Sequence, residues 1–235
     1  MATRKKTGVV PLSSIPMEFV RANGHLTTTE DEQRTIPMDE EELHYRVIEL
    51  ERQIQNLPEE NVLAVDECGN VLIHLVGKRD KVVLPREFWD SAKVVTHNHP
   101  DGATLSDSDI ARLYDTNVGE IRACTGGVWY SAKREDESQK DAAAVHEELS
   151  AYLAEVEQNC IIEICDRNGV DVEVDTESGM FSPIQPEGTS DELFEDICNT
   201  SMREYKLLRV VRLHKALESY AGKNSLCYTV GALEP

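Results

Sequence analysis

The sequence predicts an α+β fold, in which a mixed sheet is flanked by helices and a largely helical C-terminal appendage follows. Three observations favour this class. An amphipathic helical pattern covers 37–57, several short apolar runs of β type follow it, and two long helical patterns cover 141–164 and 190–220. Strands that cluster in one part of the chain, apart from the longest helices, are typical of α+β proteins.

The first helix is predicted from Pro37 to Leu57. Pro37 suits the first position of a helix, and the acidic residues 39–42 suit its positive end. Apolar residues recur at steps of three and four and form one stripe that should pack on a sheet. These residues are Leu43, Val47, Leu50, Ile54 and Leu57.

The predicted core continues as alternating strands and short helices. Strands are expected at 62–65, 71–76, 82–84, 92–99, 118–125 and 128–132, and helices at 85–89 and 106–117. The sequence thus predicts three segments: a flexible N-terminal arm at 1–36, a metal-binding core at 37–132, and the appendage at 133–235. The appendage should contain a strand at 170–174, a loop at 177–189 and a final short strand at 226–230.

Charge limits the partners of this protein. The 235 residues include 24 basic and 44 acidic ones, so the net charge is -20. Binding to nucleic acid needs basic side chains that displace counterions, and an anionic membrane surface would repel this protein. The balance favours a basic protein or tail as the partner.

The location that the sequence predicts is cytoplasmic. No apolar run approaches 18 residues, so no transmembrane helix is expected, and the basic residues 4–6 are not followed by the apolar block of a secretory signal. Six cysteines are scattered without a Cys-x-x-Cys pair. This pattern indicates reduced thiols in a cytosolic protein.

The segment from His97 to Asp109 carries the candidate chemistry. His97 and His99 end a predicted strand, and alternation places both imidazoles on one face. Pro100 stops the strand, and a short loop brings Asp109 back as a third ligand. Two histidines, one carboxylate and an open fourth position are typical of hydrolytic zinc. Alternatively, Ser106 caps a helix with Asp109 in its first turn, which is compatible with metal binding.

This motif, His-x-His-Pro, a short loop and Ser-x-x-Asp, resembles the signature of the JAMM (MPN+, JAB-domain) zinc metalloproteases. The resemblance covers about 58–132 and implies a cytidine-deaminase-like, JAB-type fold. It implies one zinc ion per chain on His97, His99 and Asp109, with Ser106 at the oxyanion and an upstream glutamate as general base. The family usually has seven residues between the second histidine and the serine, whereas this chain has six.

The general base is expected just before the strand that follows the first helix, where family members tend to carry it. Glu60 fits that place, and Glu59 is the neighbouring alternative. Glu67, in a predicted turn, fits less well. Glu59 and Glu60 could also be solvated charges at a junction between a helix and a strand.

The resulting prediction is a zinc-dependent hydrolase of peptide or isopeptide bonds, acting on a basic or modifier-conjugated protein. One alternative is a non-catalytic scaffold whose helices at 141–164 and 190–220 mediate oligomers. A second is a DNA-associated protein, because the run 82–87 and the His-Asn-His-Pro sequence resemble the RadC branch of the family. The net charge counts against direct DNA contact.

Overall fold

A computed structural model describes residues 34–79, 81–135, 140–174 and 181–233. Most of the predicted arm, 1–33, lies outside the described residues. The chain forms two compact units: the first contains the described residues up to His146 and those from Ala221 onwards, and the second is Glu147–Tyr220.

The described elements combine eight strands with five helices. In chain order they are α1 (Glu40–Ile54), β1 (Asn61–Val65), β2 (Val71–Val76), α2 (Arg86–Ser91), β3 (Val94–Asn98), α3 (Asp107–Asp115), β4 (Glu120–Thr125), β5 (Val128–Arg134), α4 (Ala142–Asn168), β6 (Asp171–Val174), β7 (Phe181–Ile184), α5 (Asp191–Lys223) and β8 (Leu226–Ala232). The predicted α+β class is therefore confirmed.

Six of these strands form one mixed sheet in the first unit. Their order is β2-β1-β3-β4-β5-β8. Only β3 and β4 pair in parallel, and the other four neighbouring pairs are antiparallel. The parallel pair lies in the middle of the sheet, so the end of β3 that carries His97 is flanked by strands on both sides.

Helix α1 covers one face of this sheet. The side chain of Asp39 caps the helix by accepting the N–H of Glu42 at 2.8 Å. Four of the five residues of the predicted stripe, Leu43, Val47, Leu50 and Ile54, are buried in a cluster with Ile48, Leu63, Val65, Val94, Cys124 and Leu233, whereas Leu57 lies beyond the end of α1 and is 38% exposed. The helix was predicted three residues longer at each end than the structure shows.

Helix α3 packs against β4 and β5. Residues of β3 alternate between the two faces of the sheet: Thr96 hydrogen bonds to Glu51 of α1, whereas His97 contacts Asp109 of α3. The candidate metal ligands therefore lie on the α3 side of the sheet, and α1 supports the other side.

Two local predictions were wrong. Residues 82–84 form no strand, because the chain turns back through a Lys78–Lys81 hydrogen bond of 2.8 Å and then meets Pro85. The segment 177–189 was predicted as a loop, but it contains β7, which pairs with β6. Pro183 within β7 hides the strand pattern, although proline is tolerated at a sheet edge.

The final strand corrects the boundary of the appendage. β8 was assigned to 133–235, but it pairs with β5 and extends the main sheet. The second unit, 147–220, is thus an insertion in the chain between β5 and β8. Within it, α4 and α5 are joined by Arg209–Glu157 and Arg212–Glu163 ion pairs of 2.6 and 2.9 Å.

None of the helices in the described ranges combines the length and the apolar character that a membrane crossing requires.

Candidate metal centre

The two histidines meet at the end of β3. Their Nε2 atoms lie 2.9 Å apart, as expected for side chains two residues apart on one strand. The N–H of His99 donates to the carbonyl of Cys124 at 3.0 Å, which keeps His99 beside β4 although β3 ends one residue earlier. Both residues are thus held by the sheet, and their Nε2 atoms face the same small volume.

The loop after His99 also fixes its imidazole. Gly102 has a φ of 84°, a backbone conformation that residues with a side chain rarely adopt. Its N–H donates to the carbonyl of His99. This turn brings the carbonyl of Ala103 to 3.2 Å from Nδ1 of His99. Because that carbonyl accepts the Nδ1 proton, Nε2 remains as the nitrogen for a metal, which is the usual arrangement for metal-binding histidines.

Ser106 and Asp109 form a reciprocal cap at the start of α3. The Ser106 hydroxyl accepts the N–H of Asp109 at 3.1 Å, and the Asp109 carboxylate accepts the N–H of Ser106 at 2.8 Å. The hydroxyl also donates to Asp109 Oδ2 at 2.7 Å. The predicted capping role of Ser106 is therefore present, and its hydroxyl orients the third candidate ligand.

Asp109 reaches both histidines, as the sequence predicts. One carboxylate oxygen lies 3.4 Å from Nε2 of His97 and the other 4.0 Å from Nε2 of His99. Zinc bonds of about 2.0–2.1 Å place the atoms of tetrahedral ligands about 3.3–3.4 Å apart. The 3.4 and 4.0 Å separations end on different oxygens of Asp109, and the two Nε2 atoms lie 2.9 Å apart. Among the described residues, the group whose donor atoms all lie within 4.8 Å of one another, and which could hold a metal ion, is His97, His99 and Glu60.

Glu60 joins this cluster through the register of β1 and β3. Val62 is opposite His97, and the same register continued by two residues places Glu60 opposite His99. Residues 60 and 62 share a face by alternation. A carboxylate oxygen of Glu60 and one ring nitrogen from each histidine accordingly lie within 4.8 Å of one another. Among the described residues, the group that could hold a metal ion contains Glu60 and not Glu59.

The charges of the site compensate one another. Burial alone would lower the pKa of His97, but the carboxylates of Asp109 and Glu60 outweigh it and hold that pKa above its ordinary range. Burial and the nearby His97 charge lower the pKa of His99. Burial would raise the pKa of Asp109, yet the two histidines and the hydrogen bond from Ser106 keep it well below its usual value. The site thus stabilises positive charge between its two carboxylates.

A buried ion network supports β3 from the opposite face. Arg122 of β4 makes two hydrogen bonds to Glu51 of α1, at 2.7 and 2.8 Å, and both side chains are essentially buried. Thr96 donates to the same carboxylate at 2.7 Å, and Arg122 also contacts Glu120 at 3.1 Å. Sequence reasoning missed this network. The signal was present, because Glu51 lies four residues after Val47 on the buried stripe of α1.

Sequence reasoning also missed Asn98, which is fully buried between the two histidines in the chain. Its side chain hydrogen bonds to backbone groups on both sides of Glu60. A polar residue inside an apolar strand is a signal for such a buried network.

Comparisons with protein families, with curated proteins and with solved structures find no match to this chain.

Proposed function

We propose that this protein is a zinc-dependent hydrolase of peptide or isopeptide bonds, built on a JAB-type fold. The convergence of His97, His99 and Asp109, with Glu60 beside them, carries the proposal. Zinc held by those three side chains would keep a fourth coordination position open. It would supply the activation of water and the polarisation of a carbonyl there. The resemblance of the motif to JAMM proteases supports the same chemistry.

Glu60 is the proposed general base. Its carboxylate lies on the face of the histidines, with one oxygen within 4.8 Å of a ring nitrogen of each histidine. A base in that position takes a proton from the attacking water and passes it to the departing amine. Glu60 is a half-buried residue.

Ser106 has two proposed roles. Its hydroxyl orients Asp109 in the present hydrogen bonding, and such contacts to a ligand typically change metal affinity by about 10- to 100-fold. The resemblance also implies a contact from Ser106 to the oxyanion during the reaction. In that step the hydroxyl would have to turn its proton from Asp109 towards the developing negative oxygen.

The proposed substrate is a basic protein segment or a modifier-conjugated chain, and the proposed location is the cytoplasm. The net charge of -20 favours a basic partner and disfavours direct contact with nucleic acid.

A comparison of Glu60→Gln with Glu59→Gln tests this proposal. The zinc-loaded proteins are assayed on basic peptides with a fluorogenic C-terminal amide and on lysine isopeptide conjugates. Glu60→Gln should abolish turnover with one zinc still bound, whereas Glu59→Gln should leave turnover within about twofold of the unsubstituted protein. Equal effects of the two changes, or no turnover by the zinc-loaded parent protein, contradict the proposal.

A non-catalytic scaffold is the second candidate. Helix α5 exposes large apolar side chains, with Leu207 75% and Val211 50% exposed one turn apart. A scaffold would form helix-mediated oligomers and would keep its assembly state when His97 and His99 are both replaced by alanine. Analytical ultracentrifugation of the two forms measures this. The RadC-like alternative predicts salt-dependent DNA binding, which a titration at low ionic strength detects.

A further inference from the structure

Asn98 lies between the two histidines in the chain, but its side chain points to the other face of the sheet. It is fully buried. A buried primary amide is expensive unless its donors and acceptor are used. The partners of this amide therefore indicate what the residue does.

Among the described residues, the hydrogen-bond partners of the Asn98 amide belong to the short segment 57–61. Its Nδ2 donates to the carbonyls of Leu57 and Glu59, at 3.1 Å each. Its Oδ1 accepts the backbone N–H of Asn61 at 2.6 Å. These three backbone groups lie on both sides of Glu60, so the single side chain of Asn98 holds the backbone before and after that residue. We call this set of three hydrogen bonds the Asn98 bracket.

The bracket begins where the regular strand pairing stops. The β1–β3 register runs from Val65–Val94 to Val62–His97. Asn61 and Asn98 would be the next pair of the ladder. There the N–H of Asn61 donates to the side-chain oxygen of Asn98. From the other side, the two residues that follow β2 hold Glu60. The N–H of Glu60 donates to the carbonyl of Lys78, and the N–H of Gly77 donates to the carbonyl of Glu60, both at 2.8 Å.

A second layer holds the bracket. Nδ2 of Asn61 donates to the carbonyl of Glu59 at 2.7 Å, and Nε2 of His74 lies 2.9 Å from Oδ1 of Asn61. Because Oδ1 can only accept, His74 must carry its proton on Nε2. Burial lowers the pKa of His74, which favours the neutral ring.

We infer that Asn98 is a positioning residue, which sets the backbone of Glu60 relative to the two histidines that flank Asn98 in the chain. The histidines and the bracket are then parts of one rigid strand, so the distance from the general base to the metal depends on the Asn98 amide. The catalytic consequence rests on the proposed hydrolase function, whereas the structural consequence does not.

Asparagine suits this place because one planar group offers two donors and one acceptor. Aspartate of the same shape keeps the acceptor for Asn61 N–H, but it sets a negative oxygen against the carbonyls of Leu57 and Glu59. Asn98→Asp should therefore release the segment on the Leu57 side. A shift of about 1 Å at a catalytic group can cost about 100-fold in rate.

The test compares Asn98→Asp, and Asn98→Ser as a milder change, with Thr96→Val. Thr96 is a matched control, because it is also buried, lies on the same strand and face, and is next to His97. Its hydroxyl bonds to Glu51 rather than to the Glu60 segment. Hydrogen exchange of the 57–62 amides, zinc content, kcat and KM are measured for each protein.

Both Asn98 variants should bind one zinc per chain and exchange the amides of 57–62 at least about tenfold faster than the parent, with Thr96→Val unchanged. For Asn98→Asp, kcat should fall about 100-fold with KM within about twofold. Unchanged exchange in the Asn98 variants, or an equal loss of kcat in Thr96→Val, overturns the inference.

Two further results separate this inference from the proposed function. If the zinc-loaded parent hydrolyses nothing, the hydrolase proposal fails, and the exchange rates still decide whether Asn98 holds the segment. If neither Asn98 variant folds, the parent protein provides the test. Its Asn61 amide should exchange slowly because Asn98 accepts that proton, and fast exchange overturns the inference.

Discussion

Replacing Arg122 by methionine should destabilise the sheet unit strongly. Arg122 makes both of its short bonds to Glu51, which is 0% exposed, and its guanidinium lies 4.3 Å from the centre of the Trp129 ring. Without Arg122, the Glu51 carboxylate keeps the hydroxyl of Thr96 as its hydrogen-bond donor. Breaking a buried ion pair from one side costs about 3–5 kcal/mol, a large part of a typical free energy of unfolding of about 5–15 kcal/mol.

The double substitution Glu51→Leu with Arg122→Met provides the control. It removes both charges, and replacing a buried ion pair by apolar residues of similar volume is often neutral or stabilising. We expect the double variant to recover most of the loss, although Thr96, His44 and Glu120 each lose a partner.

Urea unfolding followed by tryptophan fluorescence measures the effect. Both tryptophans of the chain, Trp89 and Trp129, lie in the sheet unit, so the signal reports on that unit. A chelator in the buffer removes metal ions, so that metal binding does not contribute to the measured free energy of unfolding. A loss below about 1 kcal/mol for Arg122→Met, or a double variant as unstable as the single one, would refute the reasoning about uncompensated charge.

Three other changes have defined expectations. Ser106→Ala removes the helix cap and the bond to Asp109, so it should cost about 1 kcal/mol in urea unfolding and weaken zinc binding about 10- to 100-fold in chelator competition. Burial would raise the pKa of Glu120, but Arg122, Ser131 and Lys133 outweigh burial and lower that pKa. The stabilisation that the Glu120 carboxylate gives the fold is therefore complete above about pH 4.3 and is lost in more acid solution. Glu120→Gln should accordingly lose less stability than the parent protein as the pH falls. Gly231→Ala places a Cβ against the Trp129 ring and should lower the unfolding free energy by about 1–3 kcal/mol; an unchanged unfolding midpoint contradicts that clash.

The sequence predicts the elements around the candidate site because each has a strong local signal. The apolar stripe of α1 has a period near 3.6, and His97 and His99 share a face by alternation. The reciprocal cap of Ser106 and Asp109 follows from their spacing of three residues, and the structure contains it. These features depend on neighbours in the chain.

Features that depend on pairing between distant segments could not be predicted. The place of β8 beside β5 brings together residues about 100 apart, such as Val128 and Ala232, and no local pattern specifies such a pairing. The position of Glu60 similarly depends on the register of β1 against β3. That the Glu60 side chain lies beside the histidines follows only when alternation is combined with that register.

The Asn98 bracket shows the same limit at the level of one side chain. An asparagine between two histidines gives no indication of its partners, because those partners are backbone groups about 40 residues earlier in the chain. The structure also places Arg122 against Glu51 across 71 residues.

The central claim is that His97, His99 and Asp109 bind one zinc ion, and metal content tests it most directly. The protein is dialysed against zinc and then against buffer, and zinc per chain is counted by elemental analysis and native mass spectrometry. We predict one zinc per chain, and none in the variant that combines His97→Ala with His99→Ala. No bound zinc in the parent protein, or one zinc retained by that variant, would contradict the account.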